Sequence, residues 1–171
     1  MRGTKINLDG VNALMKINDI LFKIKTALSL TDKELLETYS LAGFEMSQER
    51  LDSILKRRQD KGFSEATYEE LGLFLDGLVI LKRGEPSTKR DDDEVFELTN
   101  NLIMKKLRVS MNLKESELVI IFALAEIVLT KRQIGSFFRK EGGKNFKPAS
   151  DELLMAFIEG LDEFYYDGEE V

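Results

Sequence analysis

The chain has 171 residues, of which 43% are hydrophobic and 33% charged, a composition typical of a globular protein with a real core. It contains neither cysteine nor histidine, which excludes thiol nucleophiles, imidazole bases, disulfides and Cys/His zinc sites. Only two prolines interrupt it, and this favours long helices joined by short connections.

The charge is uneven along the chain. Residues 1–90 carry 15 Lys and Arg against 14 Asp and Glu, whereas residues 91–171 carry 10 against 17, so the net charge of −6 arises in the second half. An acidic chain is a poor candidate for nucleic-acid binding unless a local basic patch overrides the total.

The N-terminus lacks the apolar stretch of a signal peptide, and the longest apolar run, Leu118 to Leu129, is shorter than the roughly 20 residues that span a bilayer. We therefore expect a cytoplasmic protein.

The chain is internally duplicated. Residues 18–78 align with residues 101–161 at a constant offset of 83 positions and without a gap, which is the signature of a repeat. Each copy has apolar residues at helical spacing in four segments, so we predict an all-α fold: two tandem copies of a four-helix, helix-turn-helix-like unit packed together. The predicted organisation is an extra N-terminal segment that is a candidate for disorder, copy one, a linker, copy two and an acidic tail, at residues 1–14, 15–82, 83–97, 98–164 and 165–171.

The first helix of each copy is predicted from one apolar stripe. Ile20, Leu21 and Ile24 form it in copy one, and Ile103, Met104 and Leu107 repeat it in copy two. Asn18 and Asn101 stand at the starts of these stripes, where the side chain of an N-cap residue would accept a backbone hydrogen bond.

The second helix differs most between the copies. In copy one, Thr31 and Glu34 have capping-box spacing and polar residues share the helix with apolar ones. The counterpart, LVIIFALA at 118–125, has no polar side, and by itself it fits a strand as well as a helix. Its alignment with copy one favours a helix over 118–129. Such a helix must be covered on all sides, either inside the two-copy assembly or by a protein partner or a second copy of the chain.

The third and fourth helices repeat closely. The third helix follows Ser47 or Thr130, and the fourth follows a loop that contains a phenylalanine, Phe63 or Phe146, which we expect to be buried. Gly77 and Gly160 interrupt both fourth helices at one position. A glycine inside a helix costs about 1 kcal/mol relative to alanine, so its occurrence in both copies indicates a close backbone approach or a helix end.

Two basic segments make nucleic-acid binding the leading functional hypothesis. The second and third helices resemble a helix-turn-helix, in which residues of the second member contact the major groove. Arginine and glutamine can pair with base edges, and lysine can neutralise phosphates. The alternative is an ordinary solvated helix face. The candidate contacts are Arg50, Lys56, Arg57, Lys131, Arg132, Gln133, Arg139 and Lys140.

No constellation of residues points to catalysis. The acidic run Asp91 to Glu94 lacks the alternating spacing and the glycine of a calcium loop, and no phosphate-binding glycine motif occurs. We expect a binding protein that is not an enzyme, without cofactor or metal, whose role is nucleic-acid binding or regulation. The alternative is a protein interaction or assembly module with no nucleic-acid role.

Several segments together resemble a known family. They are NDIL at 18–21, LKRG at 81–84, NNLIMKKLR at 100–108, FRKEGGKNF at 138–146 and SDELLMAFIEGL at 150–161. In this combination the chain is similar, over roughly residues 15–164, to the bacterial YehS-like family (domain of unknown function 1456). The resemblance implies a helical duplicated fold and no established activity. The family usually has His at position 143 and Cys-Gly-Asp-Gln at 149–152, so any role of those residues does not carry over.

Overall fold

The computed structural model describes residues 16–85 and 97–166, and within these ranges the chain is helical with no strand. This confirms the predicted all-α fold, and no helix of the described ranges is long and apolar enough to cross a bilayer. The expectations for residues 1–14, for most of the linker, including Asp91 to Glu94, and for the end of the tail fall outside the described residues. The helices are α1 Ile17–Ala27, α2 Asp32–Leu41, α3 Gln48–Leu55, α4 Tyr68–Arg83, α5 Asn100–Met111, α6 Glu115–Leu124, α7 Lys131–Phe137 and α8 Asp151–Tyr165.

The chain folds into two compact units that exchange the first helix of each repeat. Of the described residues, 31–85 and 97–112 form one unit, here the continuous unit, while 16–30 and 113–166 form the other, here the split unit. In the continuous unit α4 packs on α5 and α2, and in the split unit α8 packs on α1 and α6. Helix α1 of copy one therefore completes the core of copy two, and α5 of copy two completes the core of copy one.

Each unit buries the same stripe positions. The core follows the predicted apolar spacing of the repeat, so equivalent residues are buried in the two units. In the continuous unit these are Leu35, Tyr39, Leu71, Phe74, Leu75, Leu78, Ile103, Met104 and Leu107; in the split unit they are Leu118, Phe122, Leu154, Phe157, Ile158, Leu161, Ile20, Leu21 and Ile24.

The two interior glycines mark a close helix approach. A Cβ atom on Gly77 would collide with the carbonyl oxygen of Thr38 in α2, and one on Gly160 would collide with the carbonyl oxygen of Ile121 in α6. Thr38 and Ile121 are equivalent positions of the repeat. Of the two explanations predicted for these glycines, the close backbone approach is the one confirmed.

The prediction that Asn18 and Asn101 cap the first helices was wrong. Helix α1 starts after Lys16, whose side chain makes no capping hydrogen bond. In α5 the cap is Thr99, whose hydroxyl accepts a hydrogen bond from the Leu102 amide. Each asparagine lies one residue inside its helix, and Asn18 is buried there. The capping boxes at Thr31, Thr67 and Thr130 are present.

The apolar run of copy two is a helix, as predicted, but a shorter one than 118–129. Helix α6 ends at Leu124 because Glu126 takes a left-handed conformation, with φ of 66°. The Ile127 amide then donates to the Phe122 carbonyl and the Glu126 amide to the Ala123 carbonyl, which is a Schellman ending. The equivalent position in copy one is Gly43. The run is also not covered on all sides, since Ile120 is 50% exposed and Val128 is 89% exposed.

Candidate nucleic-acid interface

The loop that follows the third helix has one backbone hydrogen bond in common in both units. In the continuous unit the Ser64 amide donates to the Ser53 carbonyl at 3.0 Å, and in the split unit the Lys147 amide donates to the Ser136 carbonyl at 3.0 Å. These are equivalent positions of the repeat. This hydrogen bond is shared, but the backbone differs elsewhere in the loop, since Gly142 has φ of 82° and the equivalent Gln59 has no positive φ.

In the continuous unit Arg50 fills the space between α3, this loop and α4. Its Nε and Nη2 donate to the two carboxylate oxygens of Glu70 at 2.8 and 2.9 Å. Nη1 donates to the Ser64 hydroxyl at 2.7 Å, and Nη2 also donates to the Glu65 carbonyl at 2.9 Å. A bidentate Arg–carboxylate pair is the strongest kind of side-chain contact of this type. Arg50 is thus held within its own fold.

The carboxylate of Glu70 stays ionised in this network. Burial by itself would raise the pKa of Glu70, but the hydrogen bonds from Arg50 and from the Thr67 backbone outweigh burial and hold that pKa below its ordinary value. The Thr67 amide donates to Glu70 at 2.9 Å. The Glu70 side chain is 9% exposed and that of Arg50 is 30% exposed, so the pair is shielded on the carboxylate side.

A second arginine covers the loop phenylalanine of the continuous unit. The guanidinium carbon of Arg58 lies 4.8 Å from the ring centroid of Phe63, within the range of a cation–π contact. Arg58 also pairs with Glu65 at 3.3 Å. The ring is half-buried rather than buried as predicted, because this loop lies on the surface with a side chain laid over it.

The split unit keeps the loop phenylalanine, as Phe146, but replaces the polar side chains of these two contacts. Gln133 stands in place of Arg50, Leu153 in place of Glu70, Lys147 in place of Ser64 and Glu141 in place of Arg58. Neither the ion pair nor the arginine over the ring can form with these residues.

The result is an open pocket of about 410 Å³. Its walls combine basic, amide, hydroxyl and aromatic side chains from α7 and the following loop: Arg132, Gln133, Ser136, Arg139, Asn145, Phe146 and Lys147.

The pocket lies in the most basic stretch of the split unit. Residues 131–147 carry six Lys and Arg and one Glu, net +5, whereas the equivalent residues 48–64 carry five Lys and Arg and three acids, net +2. Arg132 and Arg139 are exposed and have no acidic partner among the described residues. A concave basic surface of this kind attracts anions even on an acidic protein.

The sequence-predicted contacts are therefore divided. Arg132, Gln133 and Arg139 come together at the pocket, while Lys131 and Lys140 are exposed beside it in sequence. Arg50 is bound to Glu70, and Arg57 pairs with Asp60 at 3.3 Å. Lys56 is exposed on the continuous unit, and both Lys56 and Arg57 stay predictions.

The predicted helix-turn-helix differs from the structure in its dimensions. Helices α3 and α7 end at Leu55 and Phe137, so Lys56, Arg57, Arg139 and Lys140 lie beyond them rather than on a recognition helix. Six residues, 125–130, join α6 to α7, whereas a DNA-binding helix-turn-helix uses a turn of about 3–4 residues.

Four pocket residues were not selected as contacts from the sequence. They are Ser136, Asn145, Phe146 and Lys147. The internal alignment carries a signal for them, because Arg58 becomes Glu141 and Ser64 becomes Lys147 on opposite sides of an unchanged phenylalanine. That signal is interpretable only once the Arg50–Glu70 pair is known.

Metal binding has no support within the described ranges. No cluster of three or more acidic side chains that could hold a metal ion is present among residues 16–85 and 97–166.

Comparison with known proteins gives a family. The family described as "Protein of unknown function (DUF1456)" matches residues 18–84 and again 100–165, the two copies of the repeat. The chain is 27% identical over 147 residues to "Uncharacterized protein YehS" of Escherichia coli (strain K12), covering 86% of this chain and 94% of that protein. No solved structure gives a significant match. Because the family matches both halves and most of the chain, this protein belongs to the DUF1456 family.

Proposed function

We propose that this protein is a non-enzymatic nucleic-acid-binding protein whose main contact surface is α7 and the following loop of the split unit. The observation that carries the proposal is the open basic pocket, which is lined by Gln133 and Lys147 at the positions where the continuous unit has Arg50 and Ser64 of its internal network. The fold does not require Arg132, because the equivalent residue of the other unit is Glu49.

The side chains suit a phosphodiester chain. Arg132 and Arg139 are exposed guanidinium groups that can bind phosphate oxygens through two parallel hydrogen bonds. The Gln133 carbonyl oxygen accepts the Thr130 amide at 2.9 Å in a capping box, which leaves the amide nitrogen of Gln133 as a donor at the pocket. Each phosphate that is neutralised releases a condensed counterion, so affinity must fall with added salt.

The test is a salt series with labelled oligonucleotides, both single-stranded and duplex, and the double variant R132A/R139A. We expect this variant to lose roughly tenfold in affinity at low salt and to lower the slope of log K against log salt by about two. Circular dichroism checks that the fold is kept.

The matched control is K82A/R83A. It removes the same charge from two exposed residues at the end of α4 in the continuous unit, and we expect it to bind within about twofold of wild type, since neither residue belongs to the proposed contact surface. Absence of binding to every probe at low salt, or an equal loss in the control, would disprove the proposal.

A second candidate function, protein binding, is favoured by exposed apolar residues of α6 and of the segment that follows it. Ile120 and Val128 are exposed where the continuous unit has Glu37 and Glu45. Glu126 keeps a left-handed backbone at a helix C-terminus, where an acid is unfavourable, and it has no partner among the described residues. An apolar strip that ends in an unpaired acid fits an apolar protein segment with Lys or Arg at its edge.

This candidate is tested with an amphipathic Leu/Lys helical peptide and the variant I120E/V128E, which installs the residues of the continuous unit. Simple charge attraction predicts tighter binding of the basic peptide to the more acidic variant, whereas docking on the apolar strip predicts weaker binding by roughly tenfold or more. Tighter or unchanged binding would remove this candidate.

A further inference from the structure

The loop phenylalanine has a different environment in each unit, although its backbone hydrogen bond is the same. In the continuous unit the guanidinium of Arg58, a flat cationic group, lies over Phe63 at 4.8 Å. The Phe63 amide donates to the Asp60 carbonyl at 3.2 Å, and the Phe146 amide donates to the Gly143 carbonyl at 3.3 Å. The two rings therefore leave the same turn, and the neighbouring side chains decide what covers them.

In the split unit the ring is half-buried, but no guanidinium of the described residues lies over it. Position 58 becomes Glu141, and Phe146 makes no ring or cation contact among the described residues. The ring instead lines the pocket, together with Arg132 and Arg139. An aromatic side chain next to two unpaired guanidinium groups is the combination that proteins use for single-stranded nucleic acid.

The volume of the pocket also suits part of a nucleotide chain. Its volume of about 410 Å³ lies in the range of small-ligand pockets, about 300–1,000 Å³. Gln133 lines it at the position of Arg50, and with Leu153 in place of Glu70 no ion pair forms there.

We infer that the split unit prefers single-stranded nucleic acid and stacks one unpaired base on Phe146 while Arg132 and Arg139 hold the neighbouring phosphates. This inference rests on the proposed nucleic-acid function. A duplex keeps the faces of its bases inside the helical stack, so it can contact the two arginines but not the ring. The base takes the place that the guanidinium of Arg58 holds over Phe63.

The first test compares single strands of about 12 nucleotides, oligo(dT) and oligo(U), with duplexes of the same length. We expect tighter binding of the single strands at equal salt. The variant F146L should weaken single-strand binding roughly tenfold and leave duplex binding and the salt slope unchanged, because it removes stacking and no charge. The control F63L, at the equivalent position, should bind like wild type.

The second test is E141R, which gives the split unit the arginine that covers Phe63 in the continuous unit. Electrostatic attraction predicts that an added cation tightens binding. The inference predicts the opposite for single strands, a loss of about fivefold or more, because the new guanidinium covers the ring that the base needs.

A third test reads stacking directly. The chain contains no tryptophan, so F146W introduces a single indole fluorophore at the pocket. We expect single strands to quench its emission on binding and duplexes to leave it nearly unchanged.

The outcomes separate this inference from the proposed function. If R132A/R139A abolishes binding but F146L and E141R do not weaken it, nucleic-acid binding stands and the base-stacking inference fails. Equal or tighter binding of duplexes also overturns the inference. If no oligonucleotide binds at low salt, both proposals fall together.

Discussion

At several equivalent positions, the split unit exposes an apolar side chain where the continuous unit exposes a charged one. Phe22 is 52% exposed, and the equivalent residue of the continuous unit is Lys105. Val128 is 89% exposed, and its equivalent is Glu45. Both units nevertheless bury the same stripe and use the same glycine contact between helices. Since the continuous unit folds with charged residues at these positions, the apolar and basic surfaces of the split unit are not demanded by the fold.

We interpret this difference as a division of structural and binding roles between the two units. In the continuous unit Arg50 and Arg58 make contacts within their own unit. In the split unit Arg132 and Arg139 have no acidic partner among the described residues. We interpret the continuous unit as the scaffold and the split unit as the binding half. The following substitutions test this comparison, mostly by giving one unit the residues of the other.

The largest effect is expected where the units are identical. Gly160→Ala and Gly77→Ala should each lower the free energy of unfolding by about 3 kcal/mol, because the new methyl group meets a backbone carbonyl that cannot move away. Urea denaturation measures the loss. The control Gly72→Ala, in α4 with open space around it, should instead stabilise by about 0.5–1 kcal/mol. A tolerated alanine at position 160 would contradict the close approach.

The next effect concerns the ion pair of the continuous unit. Glu70→Leu should cost about 2 kcal/mol, because it leaves the hydrogen-bond donors of Arg50 without their carboxylate. The double variant R50Q/E70L, which reproduces Gln133 and Leu153, should cost less than the single change, since neither partner is then unpaired. A double-mutant cycle measures the coupling, and strictly additive costs would show that the pair contributes little.

The same pair predicts a pH dependence. The pKa of folded Glu70 is lower than its ordinary value of 4.5, so its contribution to stability is fully present above that pH and is lost as the pH falls through the folded pKa. The stability difference between wild type and Glu70→Gln should therefore be largest near neutral pH and shrink in acid. Denaturation curves across this range measure it, and a constant difference would contradict the assignment.

A smaller effect is expected at the end of the second helix. Glu126→Gly should stabilise the protein by about 1 kcal/mol, because glycine adopts φ near 66° without the strain that a side chain causes. The reciprocal change, Gly43→Glu, should destabilise by a similar amount, since Gly43 has φ of 81°. Thermal denaturation of the two variants measures the expected gain and the expected loss of stability. If Glu126 contacts a protein partner, Glu126→Gly will also weaken that binding.

The smallest effect is expected in the core of the continuous unit. The Tyr39 hydroxyl is buried and finds no hydrogen-bond partner among the described residues, and burial followed by the nearby Glu70 raises the pKa of Tyr39. The equivalent residue is Phe122. Tyr39→Phe should therefore stabilise by about 0.5–1 kcal/mol, and a clear loss of stability would show that the hydroxyl has a partner after all.

The helices and the core were accessible from the sequence because the apolar period and the capping residues are local signals. The exchange of α1 and α5 between the two units could not be predicted from the sequence. Both repeats carry the same stripe, so α1 is an equally good match to α4 and to α8 by pattern alone. Periodicity predicts that a helix has an apolar face, but it does not identify the copy that the face contacts.

The candidate site was accessible only in part, for a similar reason. Clusters of Lys and Arg are visible in the sequence, but their partners are not, and Arg50 meets Glu70 across 20 positions of chain. Arg132, Arg139 and Arg50 were all predicted to contact nucleic acid, because the sequence shows their charge but not their neighbours in the fold. Arg50 differs because Glu70 lies beside it, whereas Arg132 and Arg139 have no acidic partner among the described residues.

The helix exchange also sets the order in which the protein can fold during synthesis. The continuous unit occupies one stretch of chain, 31–112, so it can close before the second repeat is complete. Helix α1 is translated before the continuous unit, yet its apolar face packs on α8, which is translated after that unit. The split unit therefore depends on contacts between segments on either side of the continuous unit, which makes it the slower half to assemble and the half whose apolar surface stays uncovered longest.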